Sequence, residues 1–118
     1  MKIALLGYGK MGKAIEKIAL KRNHEIIFLS DKNMKKGKLS DADVAINFSI
    51  PDSAYDNIMM ALELNIPVVS GTTGWLKSYD KVKKYCLENN LSFLYSSNFS
   101  IGVNLFFKIN QNLAKLMN

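Results

Sequence analysis

Three glycines near the N-terminus, Gly7, Gly9 and Gly12, have a spacing that allows backbone N–H groups to bind an anion. They follow the apolar run at residues 3–6 and open an amphipathic stretch that begins at Met11. In a G-x-G-x-x-G turn the first glycine permits a tight turn, the second lets backbone N–H groups approach a pyrophosphate, and the third lets the helix pack close to the strand. Strand, glycine turn and helix in this order predict a dinucleotide pyrophosphate at the helix N-terminus. The alternative is a glycine-rich turn that binds nothing.

Asp31 is the second candidate, because it ends the nearly continuous apolar run at residues 25–30. It lies about 20 residues after Gly12, the spacing of the acid that binds the adenosine ribose in dinucleotide folds. A carboxylate there accepts hydrogen bonds from the ribose hydroxyls and repels a 2′-phosphate, which favours NAD. Lys32 can instead pair with that phosphate, so the dipeptide leaves NAD and NADP open. The alternative for Asp31 is a turn-forming or helix-capping aspartate.

Two later segments are rich in small hydroxyl residues. Residues 71–74 (GTTG) follow the apolar run that begins at Pro67, and residues 96–100 (SSNFS) follow residues 91–95. Hydroxyl groups and backbone donors between glycines can cradle a polar ligand, although each segment by itself is also an ordinary turn.

Alternating strands and helices must position these segments. The patterns predict strands at about 2–6, 25–30, 44–48, 67–70 and 91–95, and helices at about 11–22, 52–64, 76–89 and 101–118. The apolar residues at helical spacing, which we expect to face inward, are Met11, Ala14, Ile15, Ile18 and Ala19 on the first helix, Ala54, Ile58, Ala61 and Leu62 on the second, and Leu76, Tyr79, Val82, Tyr85 and Cys86 on the third. Residues 32–43 are polar and too short for a crossover helix, so we expect a loop there with room for one turn. The order predicts an α/β fold of Rossmann type, an open parallel sheet of about five strands with helices on both faces. Ligands of such sheets bind beyond the carboxyl ends of the strands, where all the polar segments are expected: 7–12, 31–32, 49–52, 71–74 and 96–100.

Length and composition exclude several classes of protein. The 118 residues, with 48% hydrophobic and 22% charged residues, suit one domain with a real core. The net charge of +6 is not accompanied by a nucleic-acid motif, no stretch has the length of a membrane span, and no signal peptide is evident, so we expect a cytoplasmic protein. No metal site is expected. The single cysteine, Cys86, is interpreted as a buried structural thiol, and the single histidine, His24, as a solvated turn residue.

Three motifs together resemble one known family. They are G-Y-G-K-M-G at residues 7–12, V-V-S-G-T-T-G-W at residues 68–75 and S-S-N-F-S-I-G-V-N-L-F at residues 96–106. The sequence is similar to dihydrodipicolinate reductase (4-hydroxy-tetrahydrodipicolinate reductase) of bacterial lysine and diaminopimelate synthesis, over nearly the whole chain but only over that family's N-terminal domain. The resemblance implies an oxidoreductase that reduces its cyclic substrate to tetrahydrodipicolinate and water with NADH or NADPH.

The resemblance also implies which residues hold the cofactor. The glycine loop would hold the pyrophosphate, Asp31 and Lys32 would lie at the adenosine ribose, and the two hydroxyl-rich segments would contact the nicotinamide half. The implied residues are Gly7, Tyr8, Gly9, Lys10, Met11, Gly12, Asp31, Lys32, Gly71, Thr72, Thr73, Ser96, Ser97, Asn98 and Phe99. The loop is one residue shorter than the G-x-G-G-R-M-G form of some members, and Lys10 takes the place of the loop arginine. The short 32–43 segment leaves contacts beyond Lys32 open.

The family's catalytic segment has no counterpart in residues 1–118. In the family, a histidine pair followed by a lysine and D-A-P-S-G-T lies in a second domain, which supplies the acid, the substrate site and the tetramer contacts. We therefore expect this chain to be a dinucleotide-binding domain over residues 1–118 with no catalytic residue of its own, inactive alone and belonging to a homotetramer when complete. Two alternatives stay open: the N-terminal domain of another NAD(P)-dependent amino-acid-pathway dehydrogenase, and a non-catalytic dinucleotide-sensing module.

Overall fold

The structure, a computed structural model, describes residues 1–95. The predicted site segment at residues 96–99 and the apolar helix predicted from residue 101 lie outside the described residues.

Strands and helices alternate along most of the described chain. The strands are Lys2–Leu6 (β1), Glu25–Ser30 (β2), Lys35–Gly37 (β3), Val44–Asn47 (β4), Val68–Ser70 (β5) and Phe93–Tyr95 (β6). The α-helices are Lys10–Lys21 (α1), Pro51–Leu62 (α2) and Tyr79–Asn89 (α3). Short 3₁₀-helices occupy Leu39–Asp41 and Leu76–Ser78.

The strands form a single sheet in the order β3-β2-β1-β4-β5-β6. Five of them are parallel, with registers such as Leu5 opposite Leu29 on one side and Ile46 on the other. The strand order reverses between β1 and β4, and in sheets of this kind the crevice at the reversal point is where ligands bind. The predicted Rossmann-type α/β fold is confirmed.

The segment 32–43 corrects one prediction. The segment contains the expected turn, as the 3₁₀-helix Leu39–Asp41, but it is not otherwise a loop. Residues Lys35–Gly37 add a sixth strand, antiparallel to β2, with Ser30 opposite Lys35. A polar, lysine-rich run carries no apolar alternation, so its strand character was invisible in the sequence. Backbone pairing to the exposed edge of β2 decides the conformation, and lysines on an edge strand are common because they discourage further pairing.

Helices cover both faces of the sheet, as predicted. Alternate residues of β1 point to opposite faces. Ile3 and Leu5 pack with Ile15 of α1, whereas Ala4 and Leu6 belong to the core that α2 and α3 cover. On α2 the four residues predicted to point inward are all buried: Ala54, Ile58, Ala61 and Leu62.

Some inward-facing assignments were wrong. Met11 and Ala14 of α1 are exposed, because only a narrow stripe of this helix (Gly12, Ile15 and Ala19) is buried against the sheet. Leu76 is 59% exposed, since residues Leu76–Ser78 form a 3₁₀-helix before α3 begins at Tyr79.

Cys86 and His24 were interpreted from the sequence as a buried structural thiol and a solvated turn residue. Cys86 is buried on α3, and desolvation raises the pKa of its thiol, which makes it a poor nucleophile. His24 is only partly exposed: the N-terminal amine of Met1 lies 3.0 Å from its Nδ1. No helix in residues 1–95 is long and apolar enough to cross a membrane.

Candidate functional site

The loops that follow β1, β4 and β5 are joined to one another at the carboxyl edge of the sheet. The N–H of Gly7 donates to the carbonyl of Ser30 (2.7 Å), and the N–H of Phe48 donates to that of Leu6 (3.0 Å). The N–H of Gly71 donates to the carbonyl of Asn47 (3.0 Å). Each bond extends a strand pairing by one residue past the strand ends, so the chain positions these loops through its backbone.

The three loop glycines have different local reasons to be glycine. Gly7 has φ +103°, and a Cβ there would lie 2.5 Å from the carbonyl oxygen of Phe48. A Cβ on Gly12 would clash with the carbonyl oxygen of Gly7, because α1 starts directly against the turn. A Cβ on Gly9, by contrast, would have no atom of residues 1–95 within 4 Å, and its φ of −88° suits any residue. Nothing in this described part of the chain requires a glycine at position 9, and the space that residues 1–95 leave in front of it is open to a ligand.

The N-terminus of α1 lacks the usual anionic partner of a helix start. Gly9 occupies the N-cap with no side-chain cap, and the first turn has no acidic residue. It carries Lys10 instead, although the helix dipole disfavours a cation there. The other two α-helices behave normally, with Asp52 in the first turn of α2 and Asp80 in that of α3. No acidic side chain in the first turn offsets the helix dipole, so an anionic ligand would be bound favourably at this end of α1.

Tyr8 is held beside the loop by α1. Its hydroxyl donates to a carboxylate oxygen of Glu16 at 2.6 Å, and this bond, with the negative charge, raises the pKa of the phenol. The ammonium of Lys13 lies 5.6 Å from the centre of the ring. The tyrosine is thus fixed over the first turn of α1, where it forms part of the wall of the cleft described next.

A cleft of about 450 Å³ opens between the glycine loop and the end of β2. Its polar wall comes from the turn after β2, where Asp31 accepts a hydrogen bond at Oδ1 from the N–H of Asn33 (2.9 Å) and donates its own N–H to the carbonyl of Met34 (2.9 Å). Thirteen residues line it: Gly7, Tyr8, Gly9, Ser30, Asp31, Lys32, Asn33, Lys35, Phe48, Ser49, Ile50, Ser53 and Asn57. We call it the glycine-loop cleft.

A second, smaller cleft of about 260 Å³ lies beside it. We call it the hydroxyl cleft, and its lining residues are Met11, Phe48, Ser49, Pro51, Gly71, Thr72 and Thr73. Phe48 and Ser49 line both clefts, so the two adjoin. The Phe48 ring lies directly against Gly71, where any Cβ would clash with it. The glycine loop and the GTTG segment therefore share one rim of the sheet, within reach of one extended ligand.

A buried hydrogen-bond network fixes the floor of the hydroxyl cleft. The amide of Asn47 donates to the hydroxyls of Ser70 (3.0 Å) and Thr72 (3.2 Å) and accepts from the hydroxyl of Ser49 (2.8 Å). The Thr72 hydroxyl also accepts from the N–H of Ser49 and donates to its carbonyl, both at 3.0 Å. Asn47 and Ser70 are fully buried. This network locks the loop after β4 to the loop after β5.

Trp75 fixes the position of the GTTG segment from the core side. The indole N–H donates to the carbonyl of Thr72 at 2.6 Å, and the ring is 4% exposed. It packs edge-on against Phe93 and Tyr95 with centroids 5.8 and 5.6 Å away. Two members of the buried network, Asn47 and Ser70, were missed in the sequence, although one signal was readable: both are polar residues at the ends of otherwise apolar strands.

Comparison with known proteins identifies the group to which the chain belongs. Residues 1–99 match the family described as dihydrodipicolinate reductase, N-terminus. The chain belongs to the dihydrodipicolinate reductase family.

Three curated relatives of this family are named 4-hydroxy-tetrahydrodipicolinate reductase. The protein of Christiangramia forsetii is 50% identical over 99% of this chain, and that of Staphylococcus saprophyticus is 33% identical over 99%. The protein of Methanocaldococcus jannaschii is 35% identical over 94%. The chain covers 50%, 52% and 36% of the lengths of these relatives, so it spans about half the length of the first two.

Solved structures of other dehydrogenases share the fold. A hyperthermophilic archaeal homoserine dehydrogenase in complex with NADPH has a TM-score of 0.68 at 17% identity, covering 81% of this chain and 43% of its own. An aspartate semialdehyde dehydrogenase with NADP from Candida albicans has a TM-score of 0.55 at 14% identity, covering 80% and 41%. At these identities the likeness concerns the fold alone.

The structure brings most of the residues implied by the dihydrodipicolinate reductase resemblance to these two clefts. The glycine-loop cleft is lined by Gly7, Tyr8, Gly9, Asp31 and Lys32, and the hydroxyl cleft by Met11, Gly71, Thr72 and Thr73.

Some implied residues line neither cleft, and one lines the hydroxyl cleft with its side chain already engaged. Lys10 is exposed in the first turn of α1 and lines neither cleft, and Gly12 is buried behind the loop. The hydroxyl of Thr72 is already engaged within the protein, so its contribution to the site is the loop position and its backbone. Ser96, Ser97, Asn98 and Phe99 lie outside the described residues. Within residues 1–95, no group of His, Cys, Asp or Glu side chains could hold a metal ion.

Proposed function

We propose that this chain is the NADH- or NADPH-binding part of a 4-hydroxy-tetrahydrodipicolinate reductase of lysine and diaminopimelate synthesis. Family membership supports the reductase, and the anion-ready N-terminus of α1, with open space over Gly9 and no acidic residue in its first turn, carries the cofactor assignment. A nicotinamide dinucleotide fits because it is a long anion with a nucleoside at each end and a diphosphate between them. The two adjoining clefts offer separate sites for the two nucleosides.

The residues have separate tasks in this proposal. Backbone N–H groups at the start of α1 bind the pyrophosphate, and the carboxylate of Asp31, held by Asn33, accepts hydrogen bonds from the adenosine ribose. Residues 71–73, together with the implied residues at 96–99, receive the nicotinamide half. The Asn47 network keeps the two loops of the hydroxyl cleft in one arrangement, so that the ring is oriented when the cofactor binds. The cofactor, when bound, supplies a hydride.

The substrate that accepts this hydride must also be positioned and must receive a proton. Of the residues in 1–95 that line the hydroxyl cleft, none has a titratable side chain. His24 follows α1 at the end away from the glycine loop, against the N-terminal amine. We therefore assign the acid and the substrate site to a second domain of the whole protein, which we also expect to make the contacts of a homotetramer.

The test is a titration of the chain with NADH and NADPH, followed by fluorescence and by calorimetry. We expect saturable binding of at least one reduced cofactor and no reductase turnover by these 118 residues alone. Absence of binding to both cofactors would refute the proposed function. Turnover by the isolated chain would instead refute the assignment of the acid to another domain. A chain that binds NAD(P)H and restores turnover when joined to the second half of a relative would support both.

A further inference from the structure

A half-buried amide, that of Asn57 on α2, lines the glycine-loop cleft. No hydrogen bond joins this side chain to any residue in 1–95. The amide of Asn47, by contrast, makes three hydrogen bonds to neighbouring side chains. An amide carries donors on its nitrogen and an acceptor on its oxygen, so both functions of Asn57 are available to a ligand in the cleft.

The start of α2 forms a short wall of this cleft. Ser53 lies four residues before Asn57, so the two side chains are neighbours on one face of the helix, and both line the cleft. The hydroxyl of Ser53 likewise makes no hydrogen bond within the described residues 1–95. Ile50, at the N-cap of α2, lines the cleft too and is 44% exposed. The wall combines an amide and a hydroxyl with an apolar side chain, a composition that suits a flat heteroaromatic ring.

The same cleft contains Asp31, where the proposed function places the adenosine ribose. The base is joined to that ribose by a single bond, so it stays within this cleft. The cleft volume of about 450 Å³ lies in the usual range of ligand pockets, about 300–1,000 Å³. In the proposed function the glycine loop binds the diphosphate and the turn after β2 binds the ribose, which leaves the α2 wall for the base.

We propose that Asn57 binds the adenine base of the cofactor and makes the site selective for the 6-amino group of that base. This inference rests on the proposed function, since it concerns the same cofactor. The amide oxygen accepts a hydrogen bond from the 6-amino group and the amide nitrogen donates one to N7, which is the pairing of asparagine with adenine. Hypoxanthine has a carbonyl oxygen in place of the amino group. Both of its atoms on this edge are then acceptors, and one of the two hydrogen bonds is lost.

The preceding residue on α2, Asp56, provides a matched control. It is exposed and lies beside Met59 and Met60 on another surface of the helix, and it does not line the glycine-loop cleft. Neither side chain belongs to the core, and alanine favours a helix at both positions, so Asn57→Ala and Asp56→Ala should both fold. A difference between the two variants therefore measures contact with the ligand and not a general change in α2.

The experiment measures the Kd of NADH, of NADPH and of the hypoxanthine analogue of each for the unmodified chain, Asn57→Ala and Asp56→Ala, with a thermal melt of each protein. The unmodified chain should bind the adenine form about tenfold more tightly than its hypoxanthine analogue, the discrimination of one bidentate contact. Asn57→Ala should weaken NADH and NADPH by the same factor of about ten, because they have the same base, and should reduce the preference to less than about twofold. Asp56→Ala should keep the preference and change each Kd less than about twofold.

The outcomes separate the inference from the proposed function. If the unmodified chain binds neither NADH nor NADPH, the proposed function fails and this inference fails with it. If the unmodified chain binds a cofactor and its hypoxanthine analogue equally well, or if Asn57→Ala keeps the preference for adenine, only the inference is overturned. Equal losses in the Asn57 and Asp56 variants would also overturn it, because they would show a change in α2 without a specific contact. If Asn57→Ala melts early, Asn57→Leu takes its place with the same expected results.

Discussion

Replacing Gly9 by alanine should weaken cofactor binding without lowering the stability of the fold. Among the described residues 1–95, no atom lies within 4 Å of a Cβ placed at this position, and the backbone angles of −88° and −154° are open to alanine. The folded state should therefore accept Gly9→Ala without strain. Because alanine has fewer conformations in the unfolded chain, stability should stay the same or rise by about 0.4–1 kcal/mol. For a chain of this size that is an increase in Tm of roughly 2–4 °C.

Cofactor affinity should change in the opposite direction. The new methyl group would stand in the open space in front of the first N–H groups of α1, where the pyrophosphate has to come within hydrogen-bond distance. A displaced phosphate loses one hydrogen bond to a charged group, worth about 1.5–3 kcal/mol. Since about 1.4 kcal/mol corresponds to a factor of ten, Gly9→Ala should weaken NADH and NADPH about 10- to 100-fold.

Gly12→Ala is the matched control, with the same chemical change three residues later. In an open helix, glycine to alanine would stabilise by about 1 kcal/mol. Here the Cβ would clash with the carbonyl oxygen of Gly7, and forcing an extra methyl into a packed site costs about 1–3 kcal/mol. The clash also displaces the turn at Gly7. We expect Tm and cofactor affinity to fall together in this variant.

The assay combines a thermal melt without cofactor and a calorimetric titration for each variant. Our reasoning predicts an unchanged or raised Tm with weak binding for Gly9→Ala, and a lowered Tm with weak binding for Gly12→Ala. If Gly9→Ala binds NADH as tightly as the unmodified chain, the space over Gly9 is not the pyrophosphate site. If it melts as early as Gly12→Ala, the description of that space is wrong.

Three further predictions concern the core, the pH dependence and the cysteine. Asn47→Leu should destabilise the chain by about 3 kcal/mol in urea unfolding, because it leaves buried hydroxyls without their partner, whereas Asn89→Leu at an exposed site should change stability by less than about 0.5 kcal/mol. The pKa of His24 is lowered, chiefly by desolvation and then by the N-terminal and Arg22 charges, so the unfolded state binds the proton better. Stability should be constant above about pH 6.5, fall as the pH drops below it, and fall less in His24→Asn; an identical pH profile in that variant would contradict this. Cys86 should react with a thiol reagent about tenfold or more slowly in the native chain than in urea, and equal rates would show that it is accessible.

The parallel part of the fold could be predicted because its strands and helices carry strong, local patterns. Strands β1 and β2 were placed at their observed bounds, and the buried stripe of α2 was predicted residue by residue. These segments bury apolar side chains at periods of two and 3.6, and the period itself distinguishes strand from helix. Strand β3 has no such period, since three exposed residues pair through backbone groups alone.

The candidate site likewise contains some residues that could be predicted from the sequence and others that could not. The glycine loop, Asp31 and the GTTG segment were predicted because special backbone positions and turn residues leave a signature in the residue type. Asn47 and Ser70 were missed, because a buried polar side chain at a strand end looks like any other until its partner on the next strand is known. Lys35 was given no role from the sequence, since only the antiparallel pairing with β2 brings it to the cleft.

The sequence by itself determined the order of the helices and of the parallel strands in residues 1–95, and the edge of the sheet at which the polar loops of this range lie. It could do so because glycine tolerance, apolar period and chain direction are local properties. The tertiary structure alone decided that the glycine-loop and hydroxyl clefts adjoin through Phe48 and Ser49 and that Asn47 ties two loops together. It also decided that strand β3 brings Lys35 into the same cleft wall as Asp31. These are contacts between segments far apart in the chain, and they depend on which strands become neighbours in the folded sheet.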